Sequence, residues 1–216
     1  MNLIKNFATF FVALTLVGCA TKPPYDYTNF KNSDPKSILI LPPKNSSPDV
    51  KATYGFYSNT QRPLSEAGFY VLPVTVVDEI FKTNGISVVD EMHMVNAKRL
   101  NEIFGADAGL YINIKDYGTK YFVIGSASIV TAEARLVDLK TGAVLWEGIA
   151  TASSEESQNN QQGGLAALLV TAIVKQIVGT TVDQSYEISK ITNARLFSAG
   201  VKNGVLYGPR NPLYKK

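Results

Sequence analysis

The chain has 216 residues, of which 45% are hydrophobic and 18% are charged, and its formal net charge is +3. This composition suits a single globular domain with an apolar core, and so small a net charge gives no indication of nucleic-acid binding. Because the sequence contains one cysteine and one histidine, it excludes a zinc site rich in these residues, and we expect no metal and no cofactor.

The first 18 residues have the pattern of an export signal. Lys5 precedes an apolar stretch from Phe7 to Val17, which is too short to be a spanning helix. Gly18 and Cys19 follow, and this Leu-x-Gly-Cys ending resembles the signal of bacterial lipoproteins. The resemblance implies cleavage before Cys19 and its acylation with fatty acids such as palmitate, which would anchor the protein to membrane lipid. The alternative is an ordinary secreted protein whose cysteine happens to lie there.

The segment that follows the cysteine, residues 19–36, is predicted to be a flexible tether. It contains several prolines and polar residues, with Tyr25, Tyr27 and Phe30 interspersed. Residues 20–36 would reach about 55–60 Å if fully extended. We expect the aromatic side chains to pack locally on the domain rather than to form a ligand site.

Residues 37–198 are predicted to form a single domain that begins with alternating strands and helices. The run Ser37 to Leu41 is a short strand covered on both faces, and residues 69–73 form a second strand. Helices are expected over residues 50–59 and 92–104, with another helical turn or two over 61–67. Residues 74–83 alternate ambiguously, but residues 78–82, followed by Asn84-Gly85, favour a helix with a C-cap. This order indicates an α/β or α+β fold, with a mixed sheet and helices packed on it.

The second half of this domain is predicted to be an antiparallel meander. Residues 108–117 alternate between apolar and polar side chains, and we expect a turn at Gly118-Thr119-Lys120. A long strand follows over residues 126–138, and a hairpin turn at residues 140–142 leads into the strand 144–150. The alternation places Glu133, Arg135 and Glu147 toward water and Trp146 in the core.

Residues 153–164 form a polar, low-complexity sequence that we expect to be a mobile loop. An almost entirely apolar helix is predicted over residues 165–178. At 1.5 Å per residue it covers about 21 Å, which is short of a hydrocarbon core of about 30 Å. We expect it to be a surface for self-association or partner binding, through Leu165, Leu168, Leu169, Ala172, Ile173 and Ile177. A further helix and a C-terminal tail, residues 199–216, complete the chain.

The residues that usually carry catalysis are not arranged as a recognisable site. His93 lies at a predicted helix start, where a solvated or partly packed role is expected, and no Gly-x-Ser-x-Gly motif accompanies it. Neighbouring carboxylates such as Asp78 and Glu79 point in different directions, so they do not form an acid–base pair by themselves. We therefore expect a protein that is not an enzyme, although a hydrolase with two distant carboxylates remains an alternative.

Three motifs together resemble a family of bacterial lipoproteins of unknown function, one member of which is a neisserial surface-antigen candidate. They are Ile38-Leu-Ile-Leu-Pro-Pro, Ile103-Phe-Gly-Ala-Asp-Ala and Arg135-Leu-Val-Asp-x-Lys-Thr-Gly-x-x-Leu-Trp146. More widely, the pattern resembles the N-terminal domain of TolB, the curli secretion lipoprotein CsgG and the penicillin-binding-protein activator LpoB. This resemblance implies a binding module of the cell envelope, often oligomeric, and it brings no catalytic residue with it.

These observations lead to one expected function and one alternative. We expect a non-enzymatic protein-binding module, accessory to a transport, secretion or assembly complex of the envelope. The residue after the lipidated cysteine is Ala20 and not an aspartate. By resemblance to the sorting of enterobacterial lipoproteins, this implies the outer membrane, and we expect the protein at its periplasmic face. Its expected partners are membrane lipid, other envelope proteins and further copies of itself. The alternative is an LpoB-like contact activator of a peptidoglycan synthase.

Overall fold

The computed structural model describes residues 25–123, 125–158 and 183–215. Its strands are β1 (Ser37–Ile40), β2 (Lys44–Asn45), β3 (Tyr70–Val71), β4 (Ala108–Phe122), β5 (Gly125–Asp138) and β6 (Val144–Ser153). Its α-helices are α1 (Thr28–Ser33), α2 (Ala52–Glu66), α3 (Val74–Thr83), α4 (Val89–Met94), α5 (Ala97–Phe104) and α6 (Gln184–Leu196). A short 3-10 helix, Ser154–Gln158, follows β6.

One mixed sheet organises these elements, with the order β3-β1-β4-β5-β6, and β2 also pairs with β4. Strands β3, β1 and β4 run parallel, whereas β4, β5 and β6 form the antiparallel meander. The expected α/β class with a mixed sheet is therefore confirmed. The hairpin between β5 and β6 also turns where the sequence places it, since Gly142 adopts a positive φ of 76° there.

Strand β1 is covered on both faces because successive side chains of a strand point to opposite sides. Ile38 and Ile40 enter the main core, which α2 and α6 cover. Leu39 and Leu41 enter a second, smaller core formed with α3, α4 and α5. The continuous apolar run in the sequence thus reflects burial between two layers of helices.

The predicted turn at Gly118 is wrong. Gly118 has a φ of 126°, but it pairs with Ile129, so β4 continues as one strand to Phe122 and turns only there. A register shift between Ile114 and Asp116 places Lys115 in a β-bulge. Pairing along the whole of β5 therefore outweighs the local turn signal.

The N-terminal segment is part of the domain from residue 25 onward, which differs from the expected tether over residues 19–36. Phe30 of α1 is 4% exposed and lies in the main core. The Tyr27 hydroxyl donates to the Gly204 carbonyl at 2.5 Å, and the Tyr214 hydroxyl donates to the Asp34 carboxylate. Residues 19–24 of the predicted tether lie outside the described residues.

The C-terminal segment, residues 199–215, likewise packs on the domain. Val205 is 1% exposed, and Ala199 and Val205 form an isolated parallel bridge. The Gly208 N–H donates to the Ala67 carbonyl at 2.8 Å. Residues 25–34 and 199–215 thus contact each other as they pack on the main core.

Candidate functional site

The predicted lipidation site and the predicted partner helix both lie outside the described residues. These are Cys19 and the helix 165–178, together with the signal 1–18 and most of the loop 153–164. Of that loop, residues 154–158 form the 3-10 helix that follows β6. Among the described residues, no helix has the length and apolarity needed to cross a bilayer.

The two faces of the antiparallel meander differ in character. On one face, rows such as Leu110–Leu136–Trp146 pack into the main core. On the other face, which we call the outer face, mainly polar residues from β4, β5 and β6 lie side by side in two rows. The rows are Tyr111–Arg135–Glu147 and Asn113–Glu133–Ile149. Except at Ile149, three consecutive strands therefore present polar side chains at matched positions.

A groove with a volume of about 730 Å³ runs along the outer face. Its floor is formed by the two polar rows, and Lys44 of β2 and His93 of α4 line one wall. Helices α3, α4 and α5 cover the β1 side of the sheet through the second core. The groove begins where this cover ends, so the unequal helix layer creates it.

His93 is held in the wall by two contacts. Its Nε2 lies 2.8 Å from the Pro42 carbonyl oxygen, which can only accept, so Nε2 carries the proton and donates. Its ring meets Tyr111 edge-on, with the ring centres 5.4 Å apart. Burial lowers the pKa of His93 below 6.5, and the nearby charges of Lys44 and Arg135 lower the pKa further, against the opposing effects of Pro42 and Asp90. The side chain is therefore neutral at pH 7.

This position corrects one detail of the sequence analysis. The continuous helix expected from residue 92 to residue 104 is interrupted, because α4 ends at Met94 and Asn96 caps α5 by accepting from the Lys98 N–H at 2.9 Å. His93 consequently lies in the last turn of α4 rather than at a helix start. Its half-buried state agrees with the partly packed role that was expected.

Arg135 occupies the centre of its row. Its guanidinium lies 5.7 Å from the centre of the Tyr111 ring, a cation–π distance. Glu147 lies directly opposite Arg135 on β6. Within the described parts of the chain, neither Arg135 nor Glu147 forms an ion pair. Arg135 is thus oriented by an aromatic ring and keeps its donors available.

The other charges of the groove are paired. Lys44 lies 2.7 Å from Asp90, and Lys115 lies 2.7 Å from Glu133. The Asn113 amide also donates to Glu133 at 3.2 Å. The hydrogen bond from Lys115 lowers the pKa of Glu133, so this carboxylate is ionised at neutral pH. These groups suit the binding of charged and polar ligands.

An apolar side chain stands among these charges. Ile149, on the edge strand β6, is 67% exposed and lines the groove. Trp146, on the same strand but the opposite face, is 1% exposed and donates from Nε1 to the Asn203 carbonyl at 3.0 Å. The core role expected for Trp146 is confirmed.

Part of this site follows from the sequence pattern. Strand alternation places Glu133, Arg135 and Glu147 toward water, and the alternation of β4 could have added Tyr111 and Asn113. The wall residues Lys44 and His93 carried no signal within their own segments. Lys44 reaches the groove because β2 pairs with β4 beside Asn113, and His93 reaches it because α4 packs beside Pro42. Among the described residues, no group of histidine, cysteine and carboxylate side chains is arranged to hold a metal ion.

Comparisons of the sequence and of the structure with known proteins find the same lipoprotein family. Residues 25–210 match the family described as "Putative lipoprotein GNA1162-like". A protein of Neisseria meningitidis serogroup B (strain ATCC BAA-335 / MC58), described as "Putative lipoprotein NMB1124/NMB1162", is 46% identical over 199 residues, which are 91% of this chain and 92% of that protein. The crystal structure of lipoprotein GNA1162 from Neisseria meningitidis is 47% identical. The match covers 68% of this chain and 100% of the GNA1162 chain, with a TM-score of 0.55.

Proposed function

Because the chain belongs to the GNA1162-like lipoprotein family, we propose that it is a lipid-anchored, non-enzymatic protein-binding module of the cell envelope. In this proposal it is accessory to a transport, secretion or assembly complex. The family membership supports the anchor, and the outer-face groove supports the binding role. Cys19 holds the protein at the periplasmic face of the outer membrane.

The anchor can be tested separately from the binding role. Growth with labelled palmitate is expected to label the wild-type protein, and a Cys19→Ser variant is expected to lack the label and to keep its signal. Separation of inner and outer membranes on a density gradient should recover the labelled protein with the outer membrane. Recovery with the inner membrane would contradict the proposed location, and label on Cys19→Ser would contradict the proposed site.

The groove is the observation that carries the binding role. The second face of a sheet that packs helices on its first face needs cover when it is apolar, but this outer face is polar. No element in the described part of the chain covers it along the three strands of the meander. Charged and polar side chains surround the exposed Ile149, an arrangement common in protein interfaces that form and dissociate. A partner protein would bury this side chain and keep the surrounding polar groups hydrogen-bonded.

Affinity purification of the lipidated protein from cross-linked cells, followed by mass spectrometry, tests this role. We expect envelope transport or assembly proteins to copurify with the wild type. An Ile149→Glu variant should lose them, whereas Val76→Glu, at a position 51% exposed on α3, should retain them. Equal recovery with both variants would contradict binding at the groove. Recovery of penicillin-binding proteins instead would replace the transport role by contact activation of a peptidoglycan synthase.

Self-association through residues 165–178 forms a second part of the proposal, and it rests on the apolar sequence of that segment. A Leu169→Glu variant is expected to lower the molar mass measured by size-exclusion chromatography with light scattering. An unchanged oligomer with an intact fold would contradict this role for the segment.

A further inference from the structure

Arg135 is the one arginine that lines the groove, and among the described residues no carboxylate lies within ion-pair distance of it. Glu147 lies opposite it in register, yet the guanidinium lies over Tyr111 on the other neighbouring strand. A guanidinium stacked on an aromatic ring keeps its N–H groups free at the edge of its plane. The Tyr111 ring therefore orients these donors.

Two cationic side chains lie at one end of the groove. Lys44 and Arg135 are both near His93, where each disfavours protonation of the imidazole. Asp90 pairs with Lys44 at 2.7 Å and so balances one of these two cations. The described residues supply no such partner for Arg135. The guanidinium donors of Arg135 thus stay available to a ligand at this end, although the Glu147 carboxylate on the opposite strand offsets its charge from beyond ion-pair distance.

The remainder of the groove indicates what kind of ligand fits there. Beyond Arg135, the next row presents the exposed Ile149 and the Glu133 carboxylate, which Lys115 and Asn113 already hold. A volume of about 730 Å³ is enough for several residues of a peptide. A ligand with a carboxylate at one position and apolar side chains beside it would match Arg135 and Ile149 together.

We propose that the Arg135 end of the groove binds a carboxylate side chain of an extended segment from a partner protein, with Arg135 as its bidentate donor. This proposal rests on the protein-binding function proposed above and adds the chemistry of the partner. Arg135 recognises the aspartate or glutamate, Tyr111 holds the guanidinium in position, and Ile149 contacts a neighbouring apolar side chain. Bidentate arginine–carboxylate pairs combine charge with a fixed geometry, so they discriminate an acid from its amide.

The test measures direct binding to the purified, lipidated full chain in detergent micelles. The probe is a fluorescent hexapeptide with blocked ends, in which glutamate and valine alternate, and the control peptide has glutamine at each glutamate position. Fluorescence anisotropy gives the Kd of each peptide. We expect the glutamate peptide to bind about 10- to 100-fold more tightly, the range of a charge-assisted hydrogen-bonded pair.

Three variants assign the effect to Arg135. Arg135→Gln should abolish the difference between the two peptides, and Arg135→Lys, which keeps the charge but loses the fork, should retain part of it. Arg99→Gln, at an exposed arginine of α5 that pairs with Glu102, should leave the difference unchanged. Because Arg135 is exposed, its variants are expected to melt at the wild-type temperature.

The outcomes separate this inference from the broader function. Equal binding of the two peptides, or no binding of either, would overturn the carboxylate assignment, as would a difference that persists in Arg135→Gln. None of these results would alter the copurification of envelope proteins and its loss in Ile149→Glu, which test the proposed function itself. If the protein shows no preference for the glutamate peptide and Ile149→Glu still copurifies envelope proteins, the groove itself is overturned as a binding surface.

Discussion

The benzene ring of the Trp146 indole lies across Gly148, two residues further along the same face of β6. A Cβ atom placed on Gly148 would lie 2.3 Å from Trp146 Cζ2 and 2.5 Å from Cη2, closer than any van der Waals contact. The indole covers the glycine, and its Nε1 reaches the Asn203 carbonyl. Through its hydrogen bond to Asn203, the indole therefore links β6 to the C-terminal segment.

A Gly148→Ala substitution is expected to destabilise the protein by about 2–3 kcal/mol, because overpacking a tight core forces side chains out of place. Trp146→Phe removes the two clashing atoms. The double variant should therefore be less destabilised than the sum of the two single variants, as measured by urea unfolding. Simple additivity would contradict the contact.

A second prediction concerns α1. Phe30→Ala should lower the free energy of unfolding by about 3–5 kcal/mol, the usual cost of removing a buried phenylalanine side chain. Lys31→Ala, at the next and exposed position, is the control and should change stability by less than about 0.5 kcal/mol. If residues 25–36 were a tether, both substitutions would be equally harmless in urea unfolding.

A third prediction follows from Asp138 at the β5–β6 turn. Burial raises the pKa of Asp138, but hydrogen bonds from the Ser33 hydroxyl and from the N–H groups of Thr141 and Lys140 outweigh it and lower the pKa below 3.8. A lowered carboxyl pKa stabilises the fold above the unfolded pKa, and this contribution is lost as the pH falls through the folded pKa. Asp138→Asn should therefore cost about 1–3 kcal/mol at pH 7 and progressively less below pH 4. A cost independent of pH would contradict this account.

A fourth prediction concerns the pKa of His93, which an NMR titration can follow without overlap because it is the one histidine in the sequence. Because burial lowers its pKa, the unfolded state takes up the proton first as the pH falls. The stability that His93 contributes is thus complete above about 6.5 and declines below that value until the folded pKa is reached. An NMR titration should give a folded pKa below 6.5, and His93→Gln should remove this part of the pH dependence. A folded pKa at or above 6.5 would contradict the buried position.

The sequence predicted the features that depend on local periodicity. The doubly covered β1, the β5–β6 hairpin and the outward positions of Glu133 and Arg135 all follow from alternation and turn residues. The Gly118 turn was wrong because a glycine favours a turn locally, whereas pairing with Ile129 on β5 continues the strand.

The features that the sequence did not predict depend on contacts between distant residues. Proline and tyrosine content made residues 25–36 resemble a tether, but Phe30 packs on Phe69, with ring centres 6.3 Å apart, and Tyr27 bonds to Gly204. Likewise, His93 reaches the groove because it contacts Pro42, which lies 51 residues earlier. The pattern of apolar and polar residues within one segment does not predict contacts with residues far away in the sequence.

The central claim, that the outer-face groove binds a partner protein, is tested most directly by photo-cross-linking in living cells. A benzophenone amino acid replaces Ile149 in the groove, and the same replacement at Val76 on α3 serves as the control. The account predicts that position 149 forms a discrete adduct with another envelope protein and that position 76 does not. Absence of a specific adduct at position 149, while the lipidated protein is present at its normal level, would contradict it.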